Sequence, residues 1–344
     1  MANDKSSKRK AFMRKVIKLL EVILCIILLS MVLQVLTEVF IAFLEQSIGT
    51  ETNYNGETSG TLEMHTIDVG QADSILIRCN DEVMLVDCGT ASKGDDVTKY
   101  LQDLHIEKID VLVGTHPHDD HMGGMAEVIN NFDIGVLYVP NLDDLEITTN
   151  WFLNFLKAVD AKDEEYNNGK SIWEFPKDEN GNFRRFNLGN AVVQFLAPSQ
   201  DSYSNKNNYS IAMRISFGEV DIMLTGDAEA LAEKEIISTG YNLESEIFKA
   251  GHHGSDTSNT KEFLEAVNPQ YVIISAGFGN KYDHPIKSVM ERLERKNIPV
   301  YRTDESGTII MQTDGHDIYF NTEPGDYLSG EELVSEGMYG NWFK

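Results

Sequence analysis

At 344 residues with 42% apolar content, the chain is long enough for one large domain or two ordinary ones with a full core, which excludes a disordered polymer. Its 29 basic and 55 acidic residues give a formal charge of -26, a surface that repels phosphate backbones unless a basic patch or a metal offsets it. Three cysteines make no disulfide framework: Cys25 sits in an apolar run, and Cys79 and Cys88 flank a short turn from which they do not face each other.

Residues 1–15 form a basic tail with Lys5, Lys8, Arg9, Lys10, Arg14 and Lys15, and an apolar stretch follows over 16–44, cleanest from Val22 to Leu36. This pattern reads as a transmembrane signal anchor. The basic flank stays cytoplasmic, so the rest of the chain is expected on the outer face of the membrane. A cleaved signal peptide is the alternative, but no small-x-small site follows the run. An amphipathic helix lying on the membrane is another, because Lys18, Glu21, Gln34 and Glu38 interrupt the stretch. Residues 45–60, rich in Thr, Asn, Gly, Ser and Glu, read as a linker.

The folded unit is expected over 61–322. Apolar alternation and turn residues predict strands at 62–68, 72–79 and 83–88, the last two joined at Asn80-Asp81, then a helix at 95–104 and a buried strand at 109–114. A helix over 122–131 and a strand at 135–139 lead into 141–186, a charged segment with Trp151 and Trp173 that reads as an insertion shaping substrate access. Strands at 191–196, 210–217 and 219–225, turned at Gly218, precede a helix at 228–238. Strands at 246–249 and 271–275, a helix at 286–296 and strands at 299–302 and 308–320 complete a second half that repeats the first. The acidic segment 323–344 is a tail that either docks or stays free.

Chemistry concentrates in Thr115-His116-Pro117-His118-Asp119-Asp120-His121, between the apolar strand ending at Val113 and Gly123-Gly124. Three imidazoles and a carboxylate on one loop form a metal-ligand set suited to zinc, with manganese or iron as alternatives. A metal with an open position lowers the pKa of bound water toward neutrality and so supplies a hydroxide nucleophile.

This loop has the H-x-H-x-D-H pattern of the metallo-β-lactamase superfamily. Further segments resemble one branch, the hydrolase domain of ComEC-type DNA-uptake competence proteins: Ile67-Asp68-Val69-Gly70-Gln71-Ala72-Asp73-Ser74, Val86-Asp87-Cys88-Gly89, Asn207-Asn208-Tyr209-Ser210, Leu224-Thr225-Gly226-Asp227, Gly251-His252-His253-Gly254-Ser255 and Tyr282-Asp283-His284-Pro285. The resemblance implies an α+β fold, a four-layer αββα sandwich with the site at one edge between the sheets. It implies one or two divalent ions, with His116 and His118 on the first, Asp120 and His121 on the second, and Asp227 between them. The superfamily usually supplies another histidine before the bridging aspartate, yet none occurs between His121 and His252. In that gap lie Asn207, Asn208 and Ser210, expected to contact the site directly or through water.

Three later histidines compete for the last ligand position: His252, His253 and His284. Our reading takes His284 as the ligand and His253 as the acid facing the phosphate, with His252 beside it. Leaving-group chemistry needs a proton donor near neutral pKa or a cation opposite developing charge. Asp120 is also assigned a catalytic role. Lys249 and Ser255 are candidates to touch substrate, and Asp68, Asp73 and Asp87 to orient ligands as hydrogen-bond acceptors. His65, His105 and His316 read as structural.

The expected function is a membrane-anchored, extracytoplasmic hydrolase acting on a phosphodiester. Nucleic acid is favoured by the resemblance, although the acidic charge opposes a long polyanion; a choline-ester or teichoic-acid type of envelope phosphodiester is a rival, and so is carboxylic-ester or lactam hydrolysis, which the same metal site can support. The rival is a non-catalytic envelope module on a degenerate hydrolase fold, motivated by the missing histidine.

Overall fold

The computed structural model describes residues 60–166 and 169–335. The basic tail, the anchor over 16–44 and all but the end of the linker lie outside the described residues, as does 336–344. Among the described residues no helix is long and apolar enough to cross a membrane.

The strands in chain order are β1 (Leu62–Thr66), β2 (Ile75–Cys79), β3 (Glu82–Val86), β4 (Lys108–Val113), β5 (Asp133–Tyr138), β6 (Trp173–Glu174), β7 (Arg185–Leu188) and β8 (Ala191–Phe195). They continue as β9 (Met213–Phe217), β10 (Val220–Leu224), β11 (Ile247–Lys249), β12 (Tyr271–Ile274), β13 (Val300–Arg302), β14 (Ile309–Thr313) and β15 (Ile318–Phe320). One sheet has the order β15-β14-β1-β2-β3-β4-β5-β6 and the other β13-β12-β11-β10-β9-β8-β7. Each has an antiparallel part and a parallel part: β3, β4, β5 and β6 are parallel neighbours in the first sheet, β10, β11, β12 and β13 in the second.

Both faces of these strands are buried, and strand alternation explains how. In β3, Val83 and Leu85 join the helix-side cluster with Val97, Leu101, Met125 and Phe155, while Met84 and Val86 join the cluster between the sheets. In β12, Val272 and Ile274 face Phe263, Val289 and Leu293 on the opposite helical layer, and Ile273 faces inward. The result is helix, sheet, sheet, helix. Helix Gly94–Asp103 buries Val97 and Leu101, one turn apart, and opens with Asp95 and Asp96 where the helix dipole favours acids.

Several boundaries differ from the sequence reading for local reasons. The single helix over 122–131 is a turn at Asp119–Met122 and a helix at Met125–Asn131. Gly123 and Gly124 separate them, and a Cβ on Gly124 would lie 2.2 Å from the Cys88 carbonyl oxygen, so the loop after β3 packs against bare backbone. Residues 210–212 leave the ladder of β9 because Ile211 N–H donates to the Thr115 carbonyl (2.9 Å), tying the second sheet to the Thr115–His121 loop. The strand over 308–320 is a hairpin, β14 and β15. Segment 141–186 holds helix Asn150–Tyr166, whose Phe152, Phe155 and Val159 belong to the first helical layer, and β6 at the sheet edge. Helix Lys261–Val267, capped by the Thr260 hydroxyl, was not anticipated. Residues 323–335 pack on the domain: Tyr327 donates to the Ile298 carbonyl (2.9 Å), and helix Gly330–Ser335 buries Leu333.

Candidate metal centre

The loops at the C-terminal ends of the parallel strands of both sheets meet at one edge, as ligand sites in α/β sheets commonly do. β4 leads to Thr115–His121, β3 to Asp87, β10 to Asp227 and β11 to His252 and His253. Both of these last histidines have left-handed backbone, φ 50° and 55°, a sparsely populated conformation that persists only where the surroundings hold it.

Three overlapping groups bring ligand atoms within 4.8 Å of one another: His116, His121 and Asp227; Asp120, His121 and His253; and Asp73, Asp87 and His121. His116 Nε2 lies 2.9 Å from His118 Nδ1 and 3.8 Å from Asp227 Oδ2. His121 Nε2 is 3.2 Å from Asp227 Oδ1, and His253 Nε2 is 3.7 Å from Asp120 Oδ2 and 3.9 Å from Asp227 Oδ2. His121 Nε2, Asp227 Oδ1 and His253 Nε2 are buried with no hydrogen-bond partner. Buried polar atoms are rarely left so. Lone-pair donors converging without partners fit a divalent ion.

The ring nitrogens turned away from this centre are anchored. Asp87, itself at φ 59°, accepts from Thr115 N–H (2.8 Å), Thr115 Oγ1 (2.7 Å) and His121 Nδ1 (2.8 Å), which sets the tautomer that leaves His121 Nε2 free. His253 Nδ1 donates to the Ser275 carbonyl (2.9 Å) and lies 3.3 Å from Asp73, which is ion-paired to the buried Lys249. Burial lowers the pKa of His116 far below the usual imidazole value. Burial acts the same way on His121 and His253, but the carboxylates Asp227 and Asp87 raise the first well above normal, and Asp227 and Asp73 raise the second to about 9. His284 is pushed down to about 4 by burial and by His253 and His252 nearby.

His284 lies outside the three ligand groups, its ring centroid 5.5 Å from His252 and 6.3 Å from His253. The geometry thus pairs His253, rather than His284, with Asp120 and His121. His118, Asp120, Asp227, His252, His253 and His284 all line one pocket of about 280 Å³, joined by Gln71, Asp119, Asn207 and Tyr282. Gln71 and Tyr282 went unnoticed as site residues although both lie within the quoted motifs. Gln71 bridges His284 Nδ1 (3.3 Å) and Gly277 N–H (3.0 Å), and Tyr282 stacks on the His284 ring.

The remaining candidates divide. Ser210 Oγ accepts from Asp227 N–H (3.0 Å), and Asn208 Oδ1 from Glu229 N–H (3.1 Å). Ser255 Oγ lies 3.1 Å from Thr257 Oγ1, which is 3.1 Å from His252 Nδ1. Asp68 is exposed and receives Gly70 N–H in a turn (3.1 Å), so the structure places it apart from the metal groups. Lys249 is fully buried on Asp73 and outside the pocket lining, which removes it from direct substrate contact. Among the described residues, none from 141–186 lines this pocket, against the expectation that the segment shapes access.

The model of the metallo-beta-lactamase superfamily matches residues 67–277, across both sheets and every group of ligands. The chain belongs to this superfamily. Within it, the chain is 29% identical over 265 residues to ComE operon protein 3 of Bacillus subtilis, covering 72% of this chain and 32% of that protein. It is 28% identical over 244 residues to competence protein ComA of Neisseria gonorrhoeae, covering 70% and 31%. A segment is 41% identical over 71 residues to ribonuclease J of Synechocystis, covering 18% of this chain and 11% of that protein. The chain therefore spans about a third of the length of these two relatives.

Proposed function

We propose that this metallo-beta-lactamase domain is a metal-dependent phosphodiesterase. The observation that carries the reading is the convergence of His121 Nε2, Asp227 Oδ1 and His253 Nε2, buried and without partners, beside an open polar pocket. In this reading His116 and His118 would hold one divalent ion, zinc or manganese, and Asp120, His121 and His253 another, with Asp227 within reach of both sets. Bound ions of this kind supply Lewis acidity and a hydroxide at neutral pH. The chain's own part is orientation: Asp87 and Ser275 fix the two imidazoles, and Ser210 fixes the backbone of Asp227. His252, His284 and Tyr282 are the groups that line the pocket for substrate and leaving group.

The names of two relatives, a competence protein and a ribonuclease, support nucleic acid as the phosphodiester. The charge of -26 favours a short or strand-end substrate, or an envelope phosphodiester, over a long duplex lying on the surface. Anchorage by residues 16–44 with the domain outside the cytoplasm belongs to the same proposal and rests on the charge asymmetry of the first 44 residues. A non-catalytic module is the second reading, favoured by the lack of histidine between His121 and His252.

The test is hydrolysis of bis-p-nitrophenyl phosphate, single-stranded DNA and envelope phosphodiesters with added zinc or manganese, for the wild type and Asp120→Ala. Metal-dependent turnover abolished by the substitution supports the enzyme and ranks its substrates. Binding of less than one ion per chain, or no turnover of any substrate, overturns it in favour of the module.

A further inference from the structure

Asn207 is buried, with 7% of its surface exposed, and lines the pocket with His118, Asp227 and His252. Its two amide atoms are in different situations. Nδ2 donates to Glu229 Oε1 at 2.9 Å, whereas Oδ1 is buried with no partner. The orientation of the amide follows from chemistry: a carboxylate only accepts, so a flipped amide would set oxygen against oxygen.

Glu229 is itself held. Its other carboxylate oxygen accepts from Asn205 Nδ2 (2.8 Å), and its backbone N–H donates to Asn208 Oδ1 (3.1 Å). Three asparagines of one loop thus converge on a single residue, and the one acceptor left over is Asn207 Oδ1. The other unpartnered buried atoms at this pocket, on Asp227 and His253, both belong to the metal groups.

We propose that Asn207 donates its carboxamide oxygen to the ion held by His116 and His118, and that Glu229 is the positioning residue that turns that oxygen toward it. The proposal rests on the metal-dependent reading above.

The experiment is stoichiometry and affinity of zinc and manganese by chelator competition and calorimetry on the full chain. The variants are Asn207→Ala, Glu229→Ala and the isosteric pair Asn207→Asp with Glu229→Gln, in which the glutamine amide donates to one aspartate oxygen and leaves the other free, each with its melting temperature in chelator as a check on folding. Expected are a loss of affinity at one of two ions of about tenfold for Asn207→Ala and Glu229→Ala, and retained or tighter binding for the pair, with melting in chelator unchanged. Wild-type affinity in Asn207→Ala or in Glu229→Ala overturns the proposal, as does a loss in the pair equal to that in Asn207→Ala. If the wild type itself binds no ion, the metal-dependent reading fails with it, so the two failures are told apart.

Discussion

Asp87→Asn tests the orientation of His121 most directly. The carboxylate accepts three hydrogen bonds, two of them at Oδ2, from the Thr115 hydroxyl and His121 Nδ1. With the amide oxygen retained on Thr115 N–H, an NH₂ group takes the place of Oδ2 and confronts both donors. His121 relieves the clash by moving its proton to Nε2, and so loses the lone pair that faces Asp227 and the ion. Outer partners of metal-bound histidines are worth about 10–100-fold in affinity, or roughly 1.4–2.7 kcal/mol. The measurement is metal affinity by chelator competition, with the metal-induced rise in melting temperature as an independent reading of the same free energy. Affinity within twofold of wild type, in a variant that melts normally in chelator, would refute the argument.

Three further outcomes are expected. Arg302 is fully buried and faces Asp304 at 2.8 Å and Glu305 at 3.0 Å, and burial together with Asp326 and Asp304 outweighs the arginine to hold the Glu305 carboxyl at about 7. A carboxyl raised in the folded state binds its proton more tightly there, so the stability it contributes is full below pH 4.5 and is lost as pH rises through 7. Glu305→Gln should remove about 1–3 kcal/mol of that decline after allowance for solvent screening, read from urea melts across the window; parallel curves for the two proteins would contradict it. Phe155→Ala empties a fully buried site beside Phe152 and Trp173 and should cost about 3–5 kcal/mol in denaturant melts while leaving metal affinity unchanged. Gly330→Ala places a Cβ 2.3 Å from the His284 carbonyl oxygen, so the loop bearing Tyr282 and His284 must shift. A raised KM with unchanged metal affinity is the expected kinetic result, and unaltered kinetics would count against a substrate role for that loop.

The layering was legible because strands buried on both faces read as nearly continuous apolar runs, as in Val83–Val86 and Val111–Val113. The loop His116–His121 was legible because its ligands are neighbours in sequence. His253 and His284 were not separable, since their roles depend on which ring reaches Asp120 across the seam, a distance that no local pattern encodes. Asp68 and Asp73 looked alike within one motif. One stays in an exposed turn, while the other reaches the interior because Lys249, distant in sequence, neutralises it. Helix Lys261–Val267 was missed because seven residues with three buried apolar positions leave too short a period to read.

The bond from Ile211 to Thr115 and that from Asp227 to Ser210 show that the centre is assembled at a seam: His116, His118, Asp120 and His121 belong to the first half of the chain, Asp227 and His253 to the second. Neither half alone offers a complete set of donors. An ion bound there would join side chains of both halves and add to what already holds them, the apolar cluster between the sheets and the pairing of β1 with β14. Metal loading would then be linked to the cohesion of the halves, and two fragments cleaved between them should reassociate more tightly with metal than without it.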